Sequence, residues 1–209
     1  MSGRLQNKIA IITGSSSGIG RAIALAFASE GATIVCSDLR EEARPELATD
    51  ASPLTTTQEL ARLGANALFV KCDTTSSSDV QALIQQAVEA FGRVDIMVNN
   101  AGVSLEGEWH GERPIWEYDD AAFETTMQVN IKGVFLGTKY ASKQMIAQDA
   151  GPGGDKGWII NLSSIFGLVG KSGVCKLLLL FLRGGWRKKN ISNSLTDFLS
   201  LLYSWLRGL

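Results

Sequence analysis

Short apolar runs alternate with amphipathic stretches along most of this chain, and the two periods can be read separately. Residues 8–13 (KIAIIT), 33–37 (TIVCS), 67–71 (ALFVK), 94–98 (VDIMV) and 158–162 (WIINL) are short and apolar. Such runs suit strands buried on both faces. Between them, Ile19, Ile23, Ala26 and Phe27 recur at helical spacing over residues 18–30, with Gly31 as the stop signal. Val80, Leu83, Ile84 and Val88 mark one side of a helix over 78–91. A long helix is predicted over 120–148, and 58–63 reads as the end of a second helix. Residues 39–57 are polar and acidic, which predicts a surface excursion. A loop with Trp109, Pro114 and Trp116 precedes the long helix, and 151–156 is a glycine-rich turn.

Strand and helix in regular alternation imply a parallel sheet covered on both faces. The predicted fold class is α/β, a Rossmann-type doubly wound sheet with strand order 3-2-1-4-5. Its ligand is expected at the carboxyl ends of the strands, near the point where the order reverses.

The pattern changes near residue 174. Residues 175–209 carry 11 leucines and a net charge of +5, whereas residues 1–174 carry −6. One Rossmann-type domain over 1–174 and a leucine-rich basic tail over 175–209, not a separate domain, are the expected organisation. Leu177–Leu182 is too short for a membrane span. Phe198, Leu201, Leu202, Trp205, Leu206 and Leu209 fit one helical face. A helix that covers the sheet edge is favoured there over contact with a membrane surface. The whole chain has 209 residues, 45% of them apolar, and a net charge of −1, so nothing in its charge calls for nucleic acid. Three cysteines, Cys36, Cys72 and Cys175, form no CxxC pair, and the first predicted strand starts by residue 8. Reduced thiols in a cytoplasmic setting are therefore expected. His110 is the only histidine, which argues against a metal site and a Ser-His-Asp triad.

Candidate chemistry sits at the strand ends. In Thr13-Gly14-Ser15-Ser16-Ser17-Gly18-Ile19-Gly20, Gly14 permits a tight exit from the first strand and Gly18 a close backbone approach to a pyrophosphate. Gly20 allows close packing of helix on sheet, and the helix N-terminus offers free N–H groups to phosphate. Ser16, Ser17 and Ile19 complete this loop. Asp38, 18 residues past Gly20, ends the second strand, where a carboxylate can accept ribose hydroxyls and repel a 2′-phosphate. Leu39 is not basic, which also favours NAD over NADP, while Arg40 is a cation that could take the phosphate. Asp73 follows the third strand. Asn100, Ala101 and Gly102 follow the fourth, where small residues let the chain pass beside a cofactor. Asn130 stands inside the long helix, an unfavourable place for an amide without a partner.

This ordered set, with Asn161-Leu162-Ser163-Ser164 at the fifth strand, resembles the classical short-chain dehydrogenase/reductase family over roughly residues 5–174. The resemblance implies an oxidoreductase that interconverts secondary alcohols and carbonyls with NAD, or less readily NADP. The family's substrates include secondary alcohols, steroids, sugars and oxoacyl thioesters. It implies that Asp73 lies near the adenine, that Asn130 kinks its helix and holds a relay water, and that Ser164 donates to the substrate oxygen. Oligomers are usual in the family, and its members have two further strands after the fifth. The family's proton relay is a Tyr-x-x-x-Lys pair, and Leu177 and Phe181 occupy the counted positions here. Tyr140 with Lys143 has the wrong spacing and precedes Ser164. Tyr203 with Arg207 lies too far beyond it. Two other outcomes follow for this chain: a non-catalytic nucleotide-binding module, or a truncated product without function.

Overall fold

A computed structural model describes residues 3–43, 53–105 and 115–163. Five parallel strands form one sheet: β1 (Ile9–Thr13), β2 (Thr33–Asp38), β3 (Ala67–Lys71), β4 (Ile96–Asn99) and β5 (Trp158–Asn161). Their order is β3-β2-β1-β4-β5, as the sequence pattern predicts. The register aligns Ile11 with Val35 and Met97, so the ends of β1, β2 and β4 finish at one level.

All five residues of β1 are buried, because helices cover both sides of the sheet. Ala10 and Ile12 join Ile34, Ile96 and Val98 beneath α1 (Gly18–Ser29) and α2 (Thr56–Arg62). Ile9 and Ile11 join Val35, Val70 and Met97 on the opposite face. That face lies under α3 (Ser77–Phe91) and α5 (Val134–Ala147). Burying an apolar side chain of this size contributes about 1.5–3 kcal/mol. These two layers hold the loops at the strand ends against a rigid floor.

Two expectations change. The segment at 58–63 is not the end of a longer helix. It belongs to a short complete helix, α2, with a capping box in which the Thr55 and Gln58 side chains each accept from the other's backbone N–H. The long helix over 120–148 is three pieces: α4 (Asp120–Met127), a π-helical turn (Gln128–Gly133) and α5. The π turn surrounds Asn130, and periodicity alone cannot signal such a turn.

Buried Cys36 and Cys72 are free thiols, as expected. Burial pushes both thiols up to about 12, well away from the reactive range. No helix among the described residues is long and apolar enough to cross a membrane, and no group of metal-binding side chains occurs among them. The tail at 175–209 lies outside the described residues.

Candidate cofactor-binding site

A cleft of about 300 Å³ opens at the carboxyl ends of β1, β2 and β4. Of the predicted glycine loop, Gly14, Ser16, Ser17, Ile19 and Gly20 line it. Gly18 completes the turn with φ +54°, and a side chain built there would meet nothing within 4 Å, so the backbone faces open space. Gly14 has φ +67°, and its Cβ would lie 2.9 Å from the Ala101 Cα. A Cβ on Gly20 would lie 2.1 Å from the Gly14 carbonyl oxygen, which explains why this helix turn needs glycine.

The loop is held from β2. The backbone N–H of Ser15 donates to the Ser37 carbonyl at 3.1 Å, and the Ser15 hydroxyl accepts from the Ser37 N–H at 2.8 Å. Asp38 Oδ2 accepts from the Ser16 N–H at 3.1 Å, and Oδ1 accepts from the Leu39 N–H at 2.8 Å. The Asp38 carboxylate is thereby aimed at the cleft it lines, half-buried at the rim. Leu39, Arg40 and Glu42 extend this wall. The Ser16 hydroxyl donates to the Arg40 carbonyl at 2.6 Å and fixes where the turn after β2 runs.

On the far wall, Asn100, Ala101 and Gly102 line the cleft with Val103 and Val129. Asn100 Nδ2 donates to the carbonyls of Thr13 (2.8 Å) and Gly14 (3.2 Å). The Thr13 hydroxyl accepts from the Asn100 and Ala101 N–H groups, both at 3.1 Å. The carboxamide thus ties the two loops together. Thr13, absent from the predicted site residues, supplies the reciprocal bond.

Asp73 also lines the cleft, beside Cys72 and Thr74. Its Oδ1 accepts from the Thr75 N–H at 2.9 Å, and its own N–H donates to Asp79 at 3.2 Å. The Ser76 hydroxyl, bonded to Asp79, holds that carboxyl below the usual range, with help from the Asp73 N–H.

Asn130, half-buried, finds the partner that an amide inside a helix needs. Its Oδ1 accepts from the Val103 N–H and its Nδ2 donates to the Val103 carbonyl, each at 2.9 Å. One carboxamide therefore reads both sides of one residue in the loop after β4. Behind it, Asn99 Nδ2 donates to Asn161 Oδ1 at 2.7 Å, joining β4 to β5. Ser163 is exposed at the end of β5, whereas Ser164, Leu177 and Phe181 lie outside the described residues. Tyr140 points elsewhere: its hydroxyl shares a hydrogen bond with Ser77 at 2.6 Å and accepts from Gln81 at 3.2 Å, on the outer side of α3 and α5. The Ser77 bond, more than the nearby Lys139 and Lys143, holds its phenol below the usual tyrosine range.

The residues present fit a dinucleotide. A carboxylate stands at the end of β2, glycine backbone faces open space, and α1 starts at the cleft with no acidic residue in its first turn. Its N-cap residue, Ser17, makes no side-chain bond to the helix amides, whereas Thr55, Ser76 and Asp119 cap theirs. An anion at the start of α1 would meet those amides. Thr13 and Thr56, whose hydroxyl donates to the Ser15 carbonyl, were absent from the predicted site residues because only their folded neighbours mark them.

The family model described as short chain dehydrogenase matches residues 8–176. An uncharacterized oxidoreductase of Thermotoga maritima is 39% identical over 79% of this chain and 57% of its own length. The 3beta-hydroxysteroid dehydrogenase 2 of Eggerthella lenta is 37% identical over 82% of this chain and 58% of its own. Among solved structures, a short chain dehydrogenase from Mycobacterium smegmatis superposes with TM-score 0.68 at 32% identity, covering 82% of this chain and 64% of that one. A Burkholderia phymatum short chain dehydrogenase/reductase in complex with NAD gives 0.66 at 32% identity, covering 81% of this chain and 53% of that one. The chain thus spans a little under three-fifths of the length of these two curated relatives. With the motifs, the strand order and these matches in agreement, the chain belongs to the short-chain dehydrogenase/reductase family.

Proposed function

We propose that this chain binds NAD in the cleft above β1, in preference to NADP, and that its site derives from one that interconverts a secondary alcohol and a carbonyl. The observation that carries the cofactor reading is the Asp38 carboxylate, held at the cleft rim by the Ser16 and Leu39 N–H groups. A carboxylate there accepts ribose hydroxyls and repels a 2′-phosphate. The solved relative with NAD bound supports a nicotinamide cofactor. Arg40 on the same wall is the one feature that favours the phosphorylated form.

When bound, a nicotinamide supplies hydride exchange. This chain's own residues would supply binding and orientation: the glycine loop and α1 take the diphosphate, and Asp38 takes the ribose. Asp73, on the cleft wall, would stand near the base, and Asn130 would set the loop after β4. Ser164 is assigned the hydrogen bond to the substrate oxygen. A proton must also move, and Leu177 and Phe181 offer no group that can carry it. General acid–base assistance is typically worth 10²–10⁴-fold. We therefore propose cofactor binding with little or no turnover. A cytoplasmic location accords with the two buried, unreactive thiols.

Titration of the full chain with NADH, followed by fluorescence, tests this. Saturable binding, weaker for NADPH, and no carbonyl-dependent NADH oxidation are expected. Turnover equal to that of a chain with an ordinary family C-terminus, including Leu177→Tyr and Phe181→Lys, would refute the proposed defect. No saturable binding together with a broad or absent melting transition would point instead to a damaged product.

A further inference from the structure

The stretch expected to be a surface excursion contributes a buried hydroxyl to the glycine loop. Thr56, the first residue of α2, is 2% exposed, and its hydroxyl donates to the Ser15 carbonyl at 2.7 Å. Arg21, on α1 and 4% exposed, donates from Nη1 to the same hydroxyl at 3.2 Å. A guanidinium has only donors. The Thr56 oxygen must therefore accept from Arg21 and spend its single proton on Ser15. That leaves no ambiguity in the direction of the bond.

The peptide joining Ser15 to Ser16 is held at both ends. Its oxygen faces Thr56, and its N–H points to Asp38 Oδ2 at 3.1 Å. A trans peptide is planar, with C=O and N–H directed oppositely. Fixing the oxygen therefore fixes the N–H, and with it the carboxylate of Asp38. The stem of the excursion is closed on the same side. Glu41 accepts from the Thr55 hydroxyl at 3.4 Å and from the Thr57 hydroxyl.

We infer that Thr56, oriented by Arg21, is a positioning residue for cofactor binding: it sets the peptide plane that aligns the phosphate loop with the ribose-accepting carboxylate. The inference rests on the NAD reading above. Thr56 touches no cofactor in this arrangement and acts through Ser15 and Asp38. Its removal should weaken ligands that use both the loop and the carboxylate. A ligand that uses neither should be indifferent.

The test compares Thr56→Val with Thr56→Ser in the full chain, with Leu60→Ala as a control for destabilised α2. Leu60 is buried in the core and distant in role from the loop. Thr56→Val should weaken NADH and ADP-ribose by roughly fivefold to tenfold, the scale of one net hydrogen bond. Thr56→Ser should restore wild-type affinity, and Leu60→Ala should lower the melting temperature with NADH affinity retained. Adenine binding should change in none of them. Unchanged NADH affinity in Thr56→Val, or an equal loss in Leu60→Ala, would overturn the inference. Amide hydrogen exchange on the cofactor-free chain separates this from the cofactor reading. Faster exchange confined to residues 14–17 in Thr56→Val supports the peptide clamp, and unchanged exchange refutes it. If the wild-type chain binds no NADH, the cofactor reading fails and takes the affinity claim with it, while the exchange result still decides the clamp.

Discussion

The two walls of the cleft are built from different materials. On the β1–β2 side, backbone does the work: glycines with positive φ, main-chain N–H groups, and short hydroxyls that return bonds to nearby carbonyls. On the β4–β5 side, carboxamides do it. Asn99, Asn100 and Asn130 bond to a neighbouring strand or loop and hold it in place. On the proposed reading, the difference follows from what each wall would offer. A diphosphate is met by exposed amides, which tolerate no intervening side chain. A substrate pocket needs fixed loops, and a carboxamide, with an acceptor oxygen and two N–H donors, can hold both the N–H and the carbonyl of one residue.

The comparison predicts that changes on the first wall alter affinity and changes on the second alter stability. The largest effect should come from Gly20→Ala, whose Cβ would lie 2.1 Å from the Gly14 carbonyl oxygen. Backbone cannot yield cheaply there, so NADH binding should vanish, with a stability loss on the order of 2–3 kcal/mol. Retained binding by fluorescence titration would show that the loop is not the phosphate site. Next, Asp38→Ala should weaken NADH by roughly tenfold to a hundredfold, the worth of charge-assisted hydrogen bonds, and shift preference toward NADPH. An unchanged ratio of the two dissociation constants would remove Asp38 from cofactor selection.

Asn130→Ala should show the opposite profile. It removes two bonds to Val103 and leaves its N–H and carbonyl without the carboxamide, a cost of about 2 kcal/mol in urea denaturation. NADH affinity should fall far less than in Asp38→Ala. A fall in affinity with no loss of stability would break the distinction between the walls.

The effect that is smallest at neutral pH concerns the thiols. Cys36 and Cys72 stay protonated to about 12 in the fold, against 9.0 when free, so the unfolded chain loses its thiol protons first. Above pH 9 the unfolded state therefore binds fewer protons than the native state, and stability falls as pH rises toward 12. Below pH 9 the thiols should contribute no slope. Replacing both with Ala should flatten the alkaline limb of a melting-temperature profile, and an unaltered limb would locate its cause elsewhere.

Local pattern carried much of this molecule. The runs at 33–37 and 67–71 lie within strands, and 158–162 covers β5 with one residue to spare, because each is apolar and bounded by polar or turn residues. The glycine loop was legible because strand, loop and helix adjoin in sequence. Thr56 was not, since its acceptor Ser15 lies 41 positions earlier and the segment 39–57 around it reads as polar surface. Periodicity hid the π turn, because the 120–148 pattern is helical throughout; the family resemblance pointed to an irregularity at Asn130, but not to its bonds with a residue 27 positions earlier. Ser164, the predicted substrate contact, lies outside the described residues.

By itself, then, the sequence determined the alternation of elements, the place of the nucleotide loop and the absence of Tyr and Lys from positions 177 and 181. These are properties of adjacent residues, set by side-chain period and backbone freedom. Only the tertiary structure decided which polar groups face one another across the loop. A hydrogen bond depends on distance and direction in space, and the chain brings Arg21, Thr56, Ser15 and Asp38 together only once β1, β2 and α2 have packed.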